Sequence, residues 1–339
     1  MKVATKRELE AAAIAFGAAI AIGSALMLAA GKAPGHVLWV MVEKLATDRY
    51  WFGEALYRAT ALAFTGLSVA LALDAGLFNI GAEGQLSAGV LACAVVGGAL
   101  PEATPAIVAV PACVLAAAAA GAAVGALIGV LRVRRDAHEV ITSIMLNFIV
   151  GGVVLWIGNA YLVRGVAARG PAIVPGAELP QLPLENSAAN AAVVLALIVT
   201  AAMWWLRERT TWGRAWRAVG QDAAAARSVG ISVGRVQVLV MAGAGALAGL
   251  AATSFVLGDK HAFEQELGRD YGFLGISAAL LGRSRPLGVV IAAMLLGLLG
   301  AGGPAVGGLV PKELTEMLQG VVVLAVAASA AWVRRKEAA

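Results

Sequence analysis

The chain has 339 residues, of which 60% are hydrophobic and only 14% are charged. Soluble domains carry about 25% charged residues, so this composition excludes an ordinary soluble enzyme and indicates an integral membrane protein surrounded by lipid. No aromatic-rich basic surface accompanies the net charge of +5, which therefore does not indicate binding to nucleic acid.

Apolar runs close to the roughly 20 residues that cross a bilayer recur along the chain. They predict ten spans, and the shorter ones suit broken or re-entrant helices. The spans cover residues 11–30, 56–73, 86–100, 105–131, 139–162, 190–206, 236–257, 271–282, 287–303 and 313–333. The expected fold class is an all-α polytopic membrane protein, with a single transmembrane domain over residues 1–339.

The basic residues give these spans an orientation. With both the N- and C-termini in the cytoplasm, most of the 26 Lys and Arg residues fall on the inner side, as the positive-inside rule requires. Spans two to five and seven to ten then have opposite topology, as in the two inverted repeats of many transporters. A loose likeness between the Gly-interrupted segments 75–89 and 272–288 points the same way.

The segment 73–89 reads LDAGLFNIGAEGQLSAG. It places Asp74, Asn79, Glu83 and Gln85 among glycines, between two apolar runs. Ionisable groups at bilayer depth cost free energy and usually face a cavity, beside which glycines permit non-helical backbone. The segment fits a translocation path and, equally, a cytoplasmic turn in which Asp74 and Glu83 are solvated.

Small residues recur at four-residue spacing in two of the spans. Such spacing gives a flat strip on one helix face, where the backbones of two helices can approach closely. The strips are Gly121, Gly125 and Gly129 in one span and Gly245 with Gly249 in another. They predict helix packing rather than a binding site.

A second polar cluster lies in HEVITSIMLNFI, at residues 138–149. Glu139, Ser143 and Asn147 follow at spacings of four and therefore share one helix face. Such a stripe indicates either a lumen or a seam of hydrogen bonds between helices. Glu139 equally suits the first turn of a helix, and a single His138 is weak support for a proton relay.

The segment 207–235 is the one long polar interruption of the chain, and its six Arg residues against Glu208 and Asp222 predict a cytoplasmic location. Asp222 can accept hydrogen bonds from the free N–H groups that open a helix, and Gly230 can take the left-handed conformation that closes one. The helix between them, 223–229, has about two turns and is unstable alone. It is predicted to need a docking partner.

Sequence motifs of catalysis are missing. The chain has no GxxxxGK[ST] phosphate loop, no HExxH or paired-Cys metal motif and no GxSxG motif. Cys93 and Cys113 fall inside apolar spans, as small buried hydrophobes. No catalytic residue, metal or cofactor is predicted for this chain.

Four stretches resemble the permease subunits of bacterial ABC importers of the ribose, branched-chain amino acid and nucleoside group. They are GLFNIGAEGQ at 76–85, HEVITSIMLNFI at 138–149, ERTTWGRAWRAVGQDAAAARSVGI at 208–231 and GISAALLGRSRPLG at 275–288. The likeness is strongest to nucleoside permeases that work with basic-membrane-protein-type binding proteins. The likeness covers most of the chain, and the four stretches occur in the same order as in those permeases.

The resemblance implies that 223–229 is a coupling helix, on a cytoplasmic coupling loop at 207–235, that sits in a groove of a separate ATPase subunit. The residues implied for ATPase coupling are Arg217, Gly220, Asp222, Ala225, Ala226 and Gly230. It also implies that Asn79, Glu83 and Gln85 lie at the translocation path, with Ser143 and Asn147 as neighbours. Direct contact with substrate is a hypothesis for these five.

The resemblance further implies three kinds of partner: cytoplasmic ABC ATPase subunits, an extracytoplasmic substrate-binding protein and a second permease subunit, with a different paralogue preferred to a second copy. The expected function is a non-catalytic, multi-pass subunit of the bacterial inner membrane that passes nucleosides, or related simple sugars, inward. The alternatives are a branched-chain amino acid permease and an ion-coupled secondary transporter that uses Asp74, Glu83 and His138 as a relay. A membrane-embedded enzyme would lack a catalytic set.

Overall fold

The computed structural model describes residues 17, 21–25, 27–28, 31–163, 169–310, 317 and 320–321. Most of these residues are helical. The α-helices are Pro34–Thr47 (α1), Arg49–Asp74 (α2), Ala82–Ala99 (α3), Ala106–Arg135 (α4), Glu139–Ile157 (α5), Ala192–Arg209 (α6), Thr211–Gln221 (α7), Ala223–Ser228 (α8), Val233–Leu250 (α9), Tyr271–Leu281 (α10) and Pro286–Ala305 (α11). The π-helical turns Gly158–Leu162 and Thr253–Lys260 follow α5 and α9, and a 3-10 turn covers Pro175–Ala177.

Six helical segments in the described part of the chain are long and apolar enough to cross a membrane. They are Arg49–Asp74, Ala82–Ala99, Ala106–Arg135, Glu139–Leu162, Val233–Lys260 and Pro286–Ala305, and Tyr271–Leu281 is a shorter apolar helix. The protein is therefore a polytopic membrane protein. Eight of the ten predicted spans coincide with helices, whereas 11–30 and 313–333 lie almost entirely outside the described residues.

Two short strands depart from the all-α expectation. β1 (Arg169–Ala172) pairs antiparallel with β2 (Ala262–Glu264), and the Ile173 N–H donates to the His261 carbonyl at 2.8 Å. Strands of three and four residues are too short to show an alternating hydrophobic pattern. Their pairing depends on a contact between distant segments, which the sequence does not reveal.

The described residues form two compact units, one within Met1–Ala59, Pro183–Ser187 and Met294–Ala339 and the other within Thr60–Leu182 and Ala188–Ala293. In the first unit, α1 was not predicted, because its 14 residues include charged side chains and are too few to cross a bilayer. It buries Val37 and Met41, one turn apart, on one face. The Lys44 ammonium donates to the Ala305 carbonyl at 2.7 Å, at the end of α11, where a positive charge is favoured.

In the second unit, α4 and α9 pack through the two predicted glycine strips. A Cβ on Gly121 would overlap the carbonyl oxygen of Gly245, and a Cβ on Gly125 would overlap that of Met241. The backbones therefore touch directly, and the prediction of helix packing is confirmed. Cys93 and Cys113 are both free and buried in the same unit, as expected.

Candidate functional site

The loop 75–81 folds back from the end of α2 to the start of α3. Asn79 and Gln85 are fully buried and their amides bond to each other, with Nδ2 of Asn79 donating to Oε1 of Gln85 at 2.8 Å and Nε2 of Gln85 donating to Oδ1 of Asn79 at 3.0 Å. Asn79 Nδ2 also donates to Ser68 Oγ at 2.9 Å. Ser68 lies about 9 Å along α2 from the end of that helix at Asp74. The loop therefore turns back alongside α2 from its end, which makes it re-entrant.

Asn147 joins this loop to α5. Its side-chain oxygen accepts from the Gly84 N–H, and its amide nitrogen donates to the Ile80 carbonyl, both at 2.9 Å. Ser143 is fully buried one turn earlier, with no hydrogen-bond partner for its hydroxyl in the described residues. Glu139 opens the helix and pairs with Arg132 at 3.4 Å. At Asn147, the polar stripe is therefore a seam between helices.

Glu83 binds the start of a distant helix. Its two carboxylate oxygens accept from the Asp270 N–H at 2.8 Å and the Gly272 N–H at 2.9 Å. Asp270 has a left-handed φ of 71° and its own side chain makes no cap, so Glu83 supplies the cap of α10. Since Glu83 also lies in the first turn of α3, its negative charge meets the positive ends of two helices.

These two helix starts lie partway along α2. Thr65 Oγ1 donates to the Tyr271 carbonyl at 2.9 Å, and Thr65 precedes Asp74 by about 13 Å of helix. With 11 residues, α10 is about 16 Å long, roughly half of the 30 Å hydrocarbon layer. It is a half-helix, which accords with the expectation that the short spans are broken or re-entrant. Discontinuous helices of this kind form the binding sites of many transporters.

A cavity of about 150 Å³ lies beside Glu83. It is lined by Glu83, Ser87, Val90, Asn147, Gly151, Val154, Leu155, Phe263, Glu264, Glu266, Leu267 and Arg269. Three carboxylates and one guanidinium therefore face it. A hydrogen bond to Glu266 at 2.6 Å raises the pKa of the exposed Arg269 above its usual value, so Arg269 stays charged.

Of the five residues predicted for the path, the cavity brings Glu83 and Asn147 together. Asn79, Gln85 and Ser143 do not line it and are fully buried. The segment 263–269 supplies much of the lining, and no motif in the sequence indicated it. Within the described residues, no group of three or more His, Cys, Asp or Glu side chains is placed to hold a metal ion.

The short helix of the Arg-rich segment is capped at both ends. The Asp222 carboxylate accepts from the N–H groups of Ala224 at 2.8 Å and Ala225 at 3.0 Å. Gly230 has a φ of +86°, and the Gly230 and Ile231 N–H groups each donate to helix carbonyls at 3.0 Å, the pattern of a Schellman motif. Both predicted caps are confirmed, and the helix Ala223–Ser228 ends one residue earlier than expected.

This helix, α8, presents most of its surface to solvent. Ala226 is buried with 3% of its surface exposed, whereas Ala225 is exposed and Val229, directly after the helix, is 75% exposed. Of the two alanines assigned to coupling, Ala225 therefore faces outward and Ala226 faces its own chain.

The preceding helix, α7, was not predicted. The Thr210 hydroxyl caps it by accepting from the Gly213 N–H at 3.0 Å, and Trp216 and Val219 are buried on one face. The cap and the three-residue spacing of these apolar residues are both visible in the sequence and could have revealed the helix.

An ion pair joins the Arg-rich segment to the end of α2. Arg207 binds both Asp74 oxygens, from Nε at 2.5 Å and from a terminal nitrogen at 3.2 Å. Arg207 also bonds Glu208, which lies 3.7 Å from Arg217. Arg207 follows the apolar part of α6, and the Asp74 hydrogen bond raises its pKa. Asp74 was predicted to be a path residue, a turn residue or a member of a proton relay, and its pairing with Arg207 was not predicted.

Gly220, a predicted coupling residue, packs beside this ion pair. A Cβ on Gly220 would overlap the Asp74 carbonyl oxygen, and a Cβ on Gly76 would lie 3.2 Å from the Gly220 Cα. The backbone of α7 thus touches the start of the loop 75–81 with no side chain between them.

Known proteins match almost the whole chain. The family described as "Branched-chain amino acid transport system / permease component" matches residues 52–327. The guanosine ABC transporter permease protein NupP of Bacillus subtilis is 34% identical, over 91% of this chain and 90% of its own length. The glucose ABC transporter permease protein TsgB13 of Haloferax volcanii is 32% identical, over 91% and 84%.

The nucleoside ABC transporter permease protein NupB of Lactococcus lactis is 30% identical, over 93% of this chain and 89% of its own length. Identity at this level over nearly full length, together with the family match, accords with the spans and the half-helix described above. The chain therefore belongs to this family of ABC transporter permease components, which are membrane subunits and typically not catalytic.

Proposed function

We propose that this chain is the permease subunit of an ABC importer that passes a nucleoside, or a related simple sugar, into the cell. It works with a second, paralogous permease subunit in the bacterial inner membrane. A binding protein delivers the solute, and separate ATPase subunits hydrolyse ATP. The chain itself carries no cofactor and crosses the membrane ten times, as two inverted repeats with both termini in the cytoplasm.

The exposed, doubly capped helix α8 is the observation that carries this proposal. A free helix of six residues is unstable in water, and here Asp222 and Gly230 hold its two ends. The surface it presents belongs to a chain that has no phosphate-binding loop of its own. A rigid, exposed helix on such a chain is suited to receive movement from an ATPase subunit.

The charges around the cavity support a neutral, hydroxyl-rich solute. Glu83, Glu264 and Glu266 face it, against the single guanidinium of Arg269. Carboxylates accept hydrogen bonds from sugar hydroxyls. Three relatives are named for guanosine, nucleosides and glucose. The branched-chain amino acid in the family description is therefore the weaker choice.

The contacts give little support to an ion-coupled transporter with Asp74, Glu83 and His138 as a relay. Asp74 is bound to Arg207, and Glu83 is bound to backbone N–H groups. The His138 ring accepts from the Val140 N–H at 3.4 Å. Among the described contacts, none links one of the three to another. Each has a local partner instead.

The test is uptake into proteoliposomes that contain this chain with its ATPase, second permease and binding protein. Labelled guanosine, glucose and leucine are supplied with either internal ATP or a proton gradient. We expect ATP-dependent uptake of guanosine or glucose. Uptake of leucine alone would establish the amino acid alternative, and uptake driven by the gradient without ATP would establish a secondary transporter.

A pair of variants tests the docking helix. Asp222→Ala removes two hydrogen bonds at the start of α8 and is expected to cost about 1 kcal/mol of helix stability. Less ATPase is then expected to copurify with the permease. The control is Ser228→Ala, because Ser228 bonds only within the helix, to the Ala225 carbonyl. Equal copurification for the two variants would contradict the docking role of α8.

A further inference from the structure

From the geometry we infer that the Asp74–Arg207 ion pair and the adjoining Gly76–Gly220 contact, together called the interhelix clamp, transmit movement of α8 to the cavity at Glu83. The inference rests on the proposed function. Asp74 and Arg207 are positioning residues in it, because they act on the cavity through other residues. Three sets of contacts carry the argument, at the docking helix, at the clamp and at the cavity.

At the docking helix, α7 and α8 share one residue. The Asp222 N–H donates to the Ala218 carbonyl at 3.1 Å and ends α7, while the Asp222 side chain opens α8. No flexible linker separates the two helices. A partner that pushes α8 therefore also displaces α7, whose buried Trp216 and Val219 hold it against the rest of its unit.

At the clamp, Arg207 of α6 and Gly220 of α7 contact the end of α2 and the start of the loop 75–81. The side chains of Arg207 and Asp74 are only 17% and 13% exposed, so their attraction is screened less than that of a surface pair. Arg207 also bonds Glu208, which lies near Arg217 of α7. The backbone contact at Gly220 leaves no free space, so a shift of α7 shifts the loop.

At the cavity, the loop is fastened to the lining. Asn79 bonds Gln85, and the Ile80 carbonyl accepts from Asn147. Gln85 follows Glu83 within the first turns of α3, and Asn147 itself lines the cavity. Glu83 in turn holds the start of α10. Closely packed elements of this kind transmit displacement instead of absorbing it.

The test measures solute imported per ATP hydrolysed by the complete transporter in proteoliposomes. For Arg207→Gln and for Asp74→Asn we expect this ratio to fall about tenfold, within the usual range of couplings between two sites. The double variant Asp74→Arg with Arg207→Asp is expected to recover part of it. The matched control is Arg209→Gln, which removes the same charge at an exposed position outside the clamp.

An equal ratio for Arg207→Gln and Arg209→Gln in an importing complex would overturn the clamp while leaving the proposed function intact. Failure of the wild-type complex to import would instead refute the proposed function. If the clamp variants do not assemble, amide hydrogen exchange of the wild-type complex gives the answer. ATP binding is expected to change exchange in both 75–81 and 270–272, and a change in 270–272 without one in 75–81 would overturn the clamp.

Discussion

Replacing Glu83 tests whether its carboxylate holds the starts of α3 and α10 together. In Glu83→Gln, the amide oxygen can still accept one backbone N–H, but the amide nitrogen faces the other. In Glu83→Ala, the N–H groups of Asp270 and Gly272 both lose their acceptor. The two variants thus remove one and two hydrogen bonds, and both remove a charge that stabilises two helix ends.

The magnitude follows from these hydrogen bonds. The Asp270 hydrogen bond is exposed and the Gly272 hydrogen bond is partly buried. A hydrogen bond contributes about 1 kcal/mol net and an unsatisfied buried N–H costs about 1–3 kcal/mol, so Glu83→Gln is expected to lose about 1 kcal/mol of unfolding free energy and Glu83→Ala about 3 kcal/mol. Transport is expected to fall more than assembly, because the same carboxylate faces the cavity. In both measurements, the loss relative to wild type is expected to be larger for Glu83→Ala than for Glu83→Gln.

The assay is thermal unfolding of the purified protein in detergent, combined with uptake by the reconstituted complex. Glu102→Gln is the control, since Glu102 is exposed and lies in a turn outside the helices. If Glu83→Ala unfolds at the same temperature as Glu102→Gln and transports like wild type, the Glu83 carboxylate does not hold the starts of α3 and α10 together.

Two further predictions concern packing and the buried amides. Gly125→Ala is expected to destabilise the protein by about 1–3 kcal/mol, because the new methyl group would overlap the Met241 carbonyl, whereas Gly152→Ala, with no atom within 4 Å, is expected to be neutral in thermal unfolding. Asn79→Leu and Gln85→Leu are each expected to cost about 1–3 kcal/mol. The double variant is expected to cost less than their sum, and strictly additive losses in a double-mutant cycle would contradict the amide pair.

The sequence predicted the features that depend on local signals. Helix α5 and its π-helical extension, Glu139–Leu162, coincide with the predicted span 139–162, because hydrophobic length is a property of one segment. The caps of α8 were predicted because Asp222 and Gly230 act within a few residues of their own positions. The glycine strips indicated packing faces, although they did not reveal that the two strips face each other.

The features that the sequence did not predict depend on contacts between distant residues. Glu83 caps a helix through backbone N–H groups, which carry no signature in the sequence. Asp74 and Arg207 lie 133 residues apart, and no local pattern in the sequence indicates that they form a pair. Much of the cavity lining comes from 263–269, which has neither the hydrophobicity nor the motif that would single it out.

The bond between Glu83 and α10 also constrains how the protein is made. Glu83 is synthesised 187 residues before Asp270, and at about 5–20 residues per second the delay is about 10–40 s. During that time α3 carries a carboxylate without the two N–H groups that will receive it. The first half of the chain therefore enters the membrane incomplete, and its final arrangement has to wait for the second half to leave the ribosome.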